Sequence, residues 1–76
     1  MKVTLYTKED CGLCHDAEDM LRRLQDVIPF EIELVDVDMH GEAQTFSDRV
    51  PVIVVDGREV AAAPLDERRI RLALSR

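Results

Sequence analysis

The spacing of apolar positions changes repeatedly along the chain, and each change marks an element. From Lys2 to Tyr6 apolar and polar residues alternate, with Val3 and Leu5 on one side and Thr4 and Tyr6 on the other, which predicts a strand. Thr7 to Asp10 is polar and reads as a loop. From about Gly12 to Asp26 the period becomes helical, with Ala17, Met20, Leu21, Leu24 and Ile28 on one face. Asp16, Glu18 and Asp19 come early and Arg22 and Arg23 late, as the helix dipole favours. Glu18–Arg22 and Asp19–Arg23 are expected i, i+4 pairs, and Pro29 ends the pattern. Phe30 to Val37 predicts a second strand, with Phe30, Ile32 and Leu34 on one face and Val35 and Val37 on the other. Met39 to Asp48 predicts a short helix containing Ala43 and Phe46. Val50 to Val55 is a nearly continuous β-branched run, the pattern of a fully buried strand. Asp56-Gly57 is a strong hairpin signal leading into Arg58–Ala61. Asp66 is the expected N-cap of a last helix, whose apolar stripe is Ile70, Ala73 and Leu74.

The resulting order is β-α-β-α-β-β-α. Its first β-α-β unit requires a right-handed crossover and a parallel pair, and its hairpin requires an antiparallel one. The expected fold class is α/β, a four-stranded mixed sheet with flanking helices. At 76 residues there is room for one domain, spanning 1–76. The net charge is −6, which repels phosphate backbones and anionic lipid. Aromatics are confined to Tyr6, Phe30 and Phe46, too few for a base-stacking platform. No stretch approaches the ~18 consecutive apolar residues of a membrane span, and the start does not resemble a signal-peptide core. These features exclude nucleic acid and membrane as partners and lead to an expected cytoplasmic location.

Two cysteines, Cys11 and Cys14, carry the candidate chemistry. A bridge between them closes a tiny loop and staples little, so reactivity is the better reason for their spacing. Cys11 lies where the first loop turns into the first helix, and unpaired N–H groups and the helix dipole there favour a thiolate. Lys8 adds a nearby cation. Cys14 lies one turn further on, within reach of a disulfide, which makes Cys11 the attacking thiol and Cys14 the resolving one. Glu9, Asp10, Asp16, Glu18 and Asp19, five of the sixteen acids, surround the pair and oppose thiolate formation.

Other chemistries fit parts of the same segment. Cys11-Gly12-Leu13-Cys14-His15 has the spacing of a haem attachment site, which needs an axial ligand and normally export. A structural zinc needs four ligands, and His40, the remaining candidate beside Cys11, Cys14 and His15, lies beyond a whole strand. An iron–sulfur cluster would need a second chain, since one supplies only two thiolates. Both cysteines in reduced, inert form is the plainest reading, and it suits Cys14 better than Cys11. His15 and His40 read as surface residues, and Arg68, Arg69, Arg71 and Arg76 as a solvated basic face.

Across nearly its whole length the chain resembles a glutaredoxin-like member of the thioredoxin fold. The resemblance rests on Val3-Thr4-Leu5-Tyr6-Thr7-Lys8 leading into Cys11-x-x-Cys14, on Val35-Asp36-Val37-Asp38, and on Val50-Pro51-Val52. The start is similar to glutaredoxins and to redoxins that serve ribonucleotide reductase, and the short length to small bacterial glutaredoxin-like proteins. The resemblance implies that Cys11 is the nucleophile, Cys14 the resolving thiol and Cys11–Cys14 the redox disulfide. It implies a cis Pro51 facing the pair, with Val50 offering backbone groups to an extended substrate. Two departures bear on the substrate. Ala61-Ala62-Ala63-Pro64-Leu65-Asp66 replaces the Gly-Gly turn that holds a glutathione carboxylate, and Gly12-Leu13 replaces Pro-Tyr between the cysteines. Both disfavour glutathione. The expected substrate is a protein disulfide, contacted by Lys8, Leu13, Val50 and Pro51, with an external reductant, no cofactor, no metal and a monomeric state. The alternative is a non-catalytic binding module of the same fold, holding a metal or cluster or docking a partner.

Overall fold

The computed structural model describes residues 1–62 and 65–75; Ala63 and Pro64 of the replaced turn, and Arg76, lie outside the described residues. The elements are β1 (Lys2–Thr7), α1 (Gly12–Gln25), β2 (Glu31–Asp36), a 3₁₀ turn (Gly41–Phe46), β3 (Val52–Val55), β4 (Arg58–Ala62) and α2 (Glu67–Leu74). The sheet has four strands in the order β2-β1-β3-β4. β1 runs parallel to β2, with Val3 opposite Ile32 and Leu5 opposite Leu34, and antiparallel to β3, with Leu5 opposite Ile53. The alternation in β1 places Val3 and Leu5 on the inner face. There they meet Ile53, the Ala17–Met20–Leu21–Leu24 stripe of α1, Phe30, and Ile70 and Leu74 of α2. Helical and strand periods therefore converge on one core.

The outer face is more thinly covered. Phe46 of the 3₁₀ turn stacks on Tyr6 with ring centroids 4.5 Å apart. Val52 is buried, whereas Val54, opposite Thr4, is half-buried. The run expected to be buried throughout is therefore closed only at Pro51, Val52 and Ile53, while Val50, Val54 and Val55 are half-buried. Leu34 differs as well. Its register partner Leu5 is fully buried, yet Leu34 is 44% exposed. β2 is one of the two edge strands, so Leu34 has a strand neighbour on one side only. Arg22 pairs with Glu18 at 3.5 Å as expected, but Arg23 turns to Glu67 at 3.3 Å, linking α1 to α2.

The hairpin forms as its dipeptide dictates. Asp56 has φ 48° and Gly57 has φ 87°, the two positive values of a type I′ turn, and Val55 pairs with Arg58. Asp56 is held further, since its N–H donates to the Lys2 carbonyl at 2.9 Å while its Oδ1 accepts from the Lys2 N–H at 2.9 Å. A Cβ on Gly57 would touch nothing within 4 Å, so the backbone conformation alone sets the cost of a side chain there. Gly57→Ala is expected to destabilise the fold by about 1 kcal/mol. Urea unfolding with an unchanged slope and a lowered midpoint checks it. At α2, Asp66 caps as expected, with Oδ1 accepting from the Arg68 N–H at 2.9 Å. Among the described residues, no helix is long and apolar enough to cross a membrane.

Candidate functional site

The candidate site forms where β1 hands over to α1. Asp10, with φ 55°, turns the chain, and Cys11 follows as the N-cap of α1 in extended conformation. Its Sγ accepts the Cys14 N–H at 3.2 Å, and its carbonyl accepts from the Cys14 and His15 N–H groups at 3.1 and 3.2 Å. The sulfur thus occupies the place that a Ser or Asp oxygen takes at other helix starts. The first turn of α1 holds no acid: Asp16, Glu18 and Asp19 come after it, so no carboxylate of that turn competes with the sulfur for the dipole. Cys11 and Cys14 are joined as a disulfide with Cα atoms 5.2 Å apart. The pair is asymmetric, because Cys11 is half-buried and Cys14 is only 2% exposed.

Two hollows flank the pair. An apolar groove of ≈ 330 Å³ is lined by Leu13, Ala17, Met20, Pro51 and Leu65, with Asp16 and Arg23 bordering it. Leu13 projects there with 60% exposure, and the Val50–Pro51 bond is cis. The structure therefore brings Leu13 and Pro51 together on one groove. Val50 is half-buried and is not part of the lining. The second hollow is polar and contains Lys8, Glu9, Asp10, Cys14, Glu18 and Asp36. Lys8 Nζ donates to the Ser47 carbonyl at 3.4 Å, so its cation is anchored toward the loop after the 3₁₀ turn. His15 and His40 are exposed. Among the described residues, no group of three His, Cys, Asp or Glu side chains is arranged to hold a metal ion.

One support of the site is not apparent in the sequence. Arg49, just before Val50-Pro51, makes two hydrogen bonds to Glu59 of β4, at 2.9 and 3.2 Å, and lies 5.2 Å from the Phe46 ring centroid. The Glu59 hydrogen bond, and then its charge, raise the Arg49 pKa above its ordinary value. The fork fastens the segment entering Pro51 to an edge strand. Met20 and Ala17 were also legible only as core positions, although both border the groove.

A profile of the Glutaredoxin-like domain (DUF836) family matches residues 2–75. The chain belongs to this family. It is 32% identical over 81 residues to the Mycobacterium tuberculosis protein Rv0508, covering 99% of this chain and 84% of that one. The solution structure of Ne2328 from Nitrosomonas europaea superposes with a TM-score of 0.80 at 33% identity, covering 96% of this chain and 89% of the other. A Fasciola hepatica thioredoxin superposes with a TM-score of 0.68 at 28% identity, over 97% and 77% of the two chains. The family thus carries the thioredoxin fold, and its Cys11–Cys14 pair fits a redox role.

Proposed function

We propose that the protein is a thiol–disulfide oxidoreductase acting on protein disulfides in the cytoplasm. The observation that carries this reading is the half-buried Cys11 sulfur at the α1 N-cap, receiving the Cys14 N–H, with buried Cys14 as its disulfide partner. In the reduced protein the same N–H and the helix dipole stabilise a Cys11 thiolate. That thiolate attacks one sulfur of a substrate disulfide, forming a Cys11–substrate bond and expelling the other sulfur as a thiolate. Cys14, losing its proton to solvent, then attacks Cys11 Sγ and releases the second substrate thiolate. The substrate gains two electrons and the pair becomes the Cys11–Cys14 disulfide. An external dithiol reductant returns those electrons.

The groove supports a polypeptide substrate. Leu13, Met20 and Leu65 offer apolar contact beside Pro51, and Val50 supplies backbone groups next to it. Lys8 stands on the opposite side of the pair, where it tempers the acids. Glu9, Asp10 and Asp16 are exposed around the pair and disfavour the carboxylates of glutathione. In steady-state assays, the protein is expected to accelerate dithiothreitol reduction of insulin clearly above background. Its activity on a glutathione mixed disulfide is expected to be weaker. Preference for the glutathione substrate, or no insulin turnover, would contradict the reading.

A further inference from the structure

The β4–α2 face carries a feature the redox pair does not use. Arg69, Leu72 and Ala73, at i, i+3 and i+4 on α2, line a furrow of ≈ 310 Å³ together with Arg58 and Val60 of β4. A second hollow shares Arg58, Val60 and Ala73 and reaches Val55 and Asp56 of the hairpin. Val60 and Ala73 are half-buried, while Leu72 is 65% exposed.

The charges around this furrow are unbalanced. Of the two acids that border it, Glu59 is taken by the Arg49 fork and Asp56 is turned to the Lys2 N–H. Lys2, Arg22, Arg23 and Arg49 each pair with a glutamate, and Lys8 binds the Ser47 carbonyl. Arg58, Arg68, Arg69 and Arg71 make no ion pair among the described residues. In a chain of net charge −6, the unpaired positive charge is thus gathered on β4 and α2.

We propose that this furrow docks an acidic segment of a partner protein, a short run of Asp and Glu with one leucine-sized side chain seated between Val60 and Leu72. Guanidinium groups match carboxylates in a two-point geometry, and Arg58 and Arg69 line one furrow together with the apolar side chains of Val60 and Leu72. The other occupants fit less well. A nucleic acid meets a net-negative chain with few aromatics. A second copy would have to meet this furrow with a different surface of its own, a head-to-tail contact that does not close on itself. The proposal is independent of the redox reading.

The test is a titration of the ¹⁵N-labelled full chain with an acetylated Glu-Asp-Leu-Glu-Asp-Leu peptide. Saturable amide shifts are expected at Arg58, Val60, Arg69, Leu72 and Ala73, weakening as salt is added. A Lys-for-Asp/Glu peptide is expected to produce none. The double variant Arg58→Glu, Arg69→Glu should weaken binding about tenfold or more, and Leu72→Ser should weaken it less, while Arg22→Ala on α1 should leave it unchanged. The charge-swapped peptide keeps the test valid should the double variant misfold. Absence of saturable shifts at the furrow, shifts centred on the cysteine end, or equal binding of the Lys peptide would overturn the proposal. So would tighter binding of a dT oligonucleotide, or furrow shifts produced by raising the protein concentration alone.

Discussion

Replacing Cys11 by Ser is expected to lower disulfide-reduction turnover by on the order of 10³-fold or more, the scale of removing a nucleophile from an enzyme. A serine hydroxyl does not attack a disulfide at neutral pH, so neither the mixed disulfide nor the Cys14 release step can follow. The substitution is informative because it spares the fold. Cys11 is the N-cap of α1, its sulfur accepting the Cys14 N–H at 3.2 Å, and Ser is among the best residues for that position. Under reducing conditions, the stability of Cys11→Ser should therefore lie close to that of the wild type. Turnover near wild type in this variant would remove Cys11 from the chemistry. A large loss of stability would mean that its sulfur is structural.

The largest expected effect on stability is at Leu21. Its side chain is fully buried in the cluster that joins β1, β3, α1 and α2. Leu21→Ala removes buried methyl and methylene groups and leaves a cavity, a change that typically costs ~2–5 kcal/mol. A chain of 76 residues has a total stability of about 4–11 kcal/mol, so the loss is a large share of it. At ~3 kcal/mol, Tm falls by about 12–24 °C. Leu13 on the same helix is the contrast. It is 60% exposed beside Pro51, so Leu13→Ala should change stability by less than ~0.5 kcal/mol while weakening protein-disulfide turnover. Thermal melts and insulin assays on both variants separate a core leucine from a substrate-facing one. A Leu21→Ala melt within a few degrees of wild type would show that the core closes over the gap.

What was legible in the sequence was local. The Asp56-Gly57 dipeptide requires positive φ at both positions, and Asp66 supplies its own cap, so both appear where expected. Cys11 and Cys14 are one turn apart on a single helix, and their pairing needs no knowledge of the rest of the chain. The features that escaped depend on which elements become neighbours. Leu34 follows the alternation of its strand, but its exposure is set by β2 lying at an edge of the sheet. Arg23 has Asp19 within reach on its own helix and pairs with Glu67 on α2. The Arg49–Glu59 fork joins a loop to an edge strand across the hairpin. The apolar groove is assembled from Leu13 and Met20 on α1, Pro51 before β3 and Leu65 before α2, and no single segment announces it.

The measurement that bears most directly on the redox reading is a trap with Cys14→Ser. On the redox reading, Cys11 opens a substrate disulfide and, without the buried Cys14 thiol to resolve it, stays bound to one substrate sulfur. Reduced Cys14→Ser incubated with insulin should yield a stable covalent adduct. Peptide mapping should place the new bond on Cys11, and dithiothreitol should dissolve it. No adduct, or one that forms equally well with Cys11→Ser, would contradict thiol–disulfide exchange at this pair.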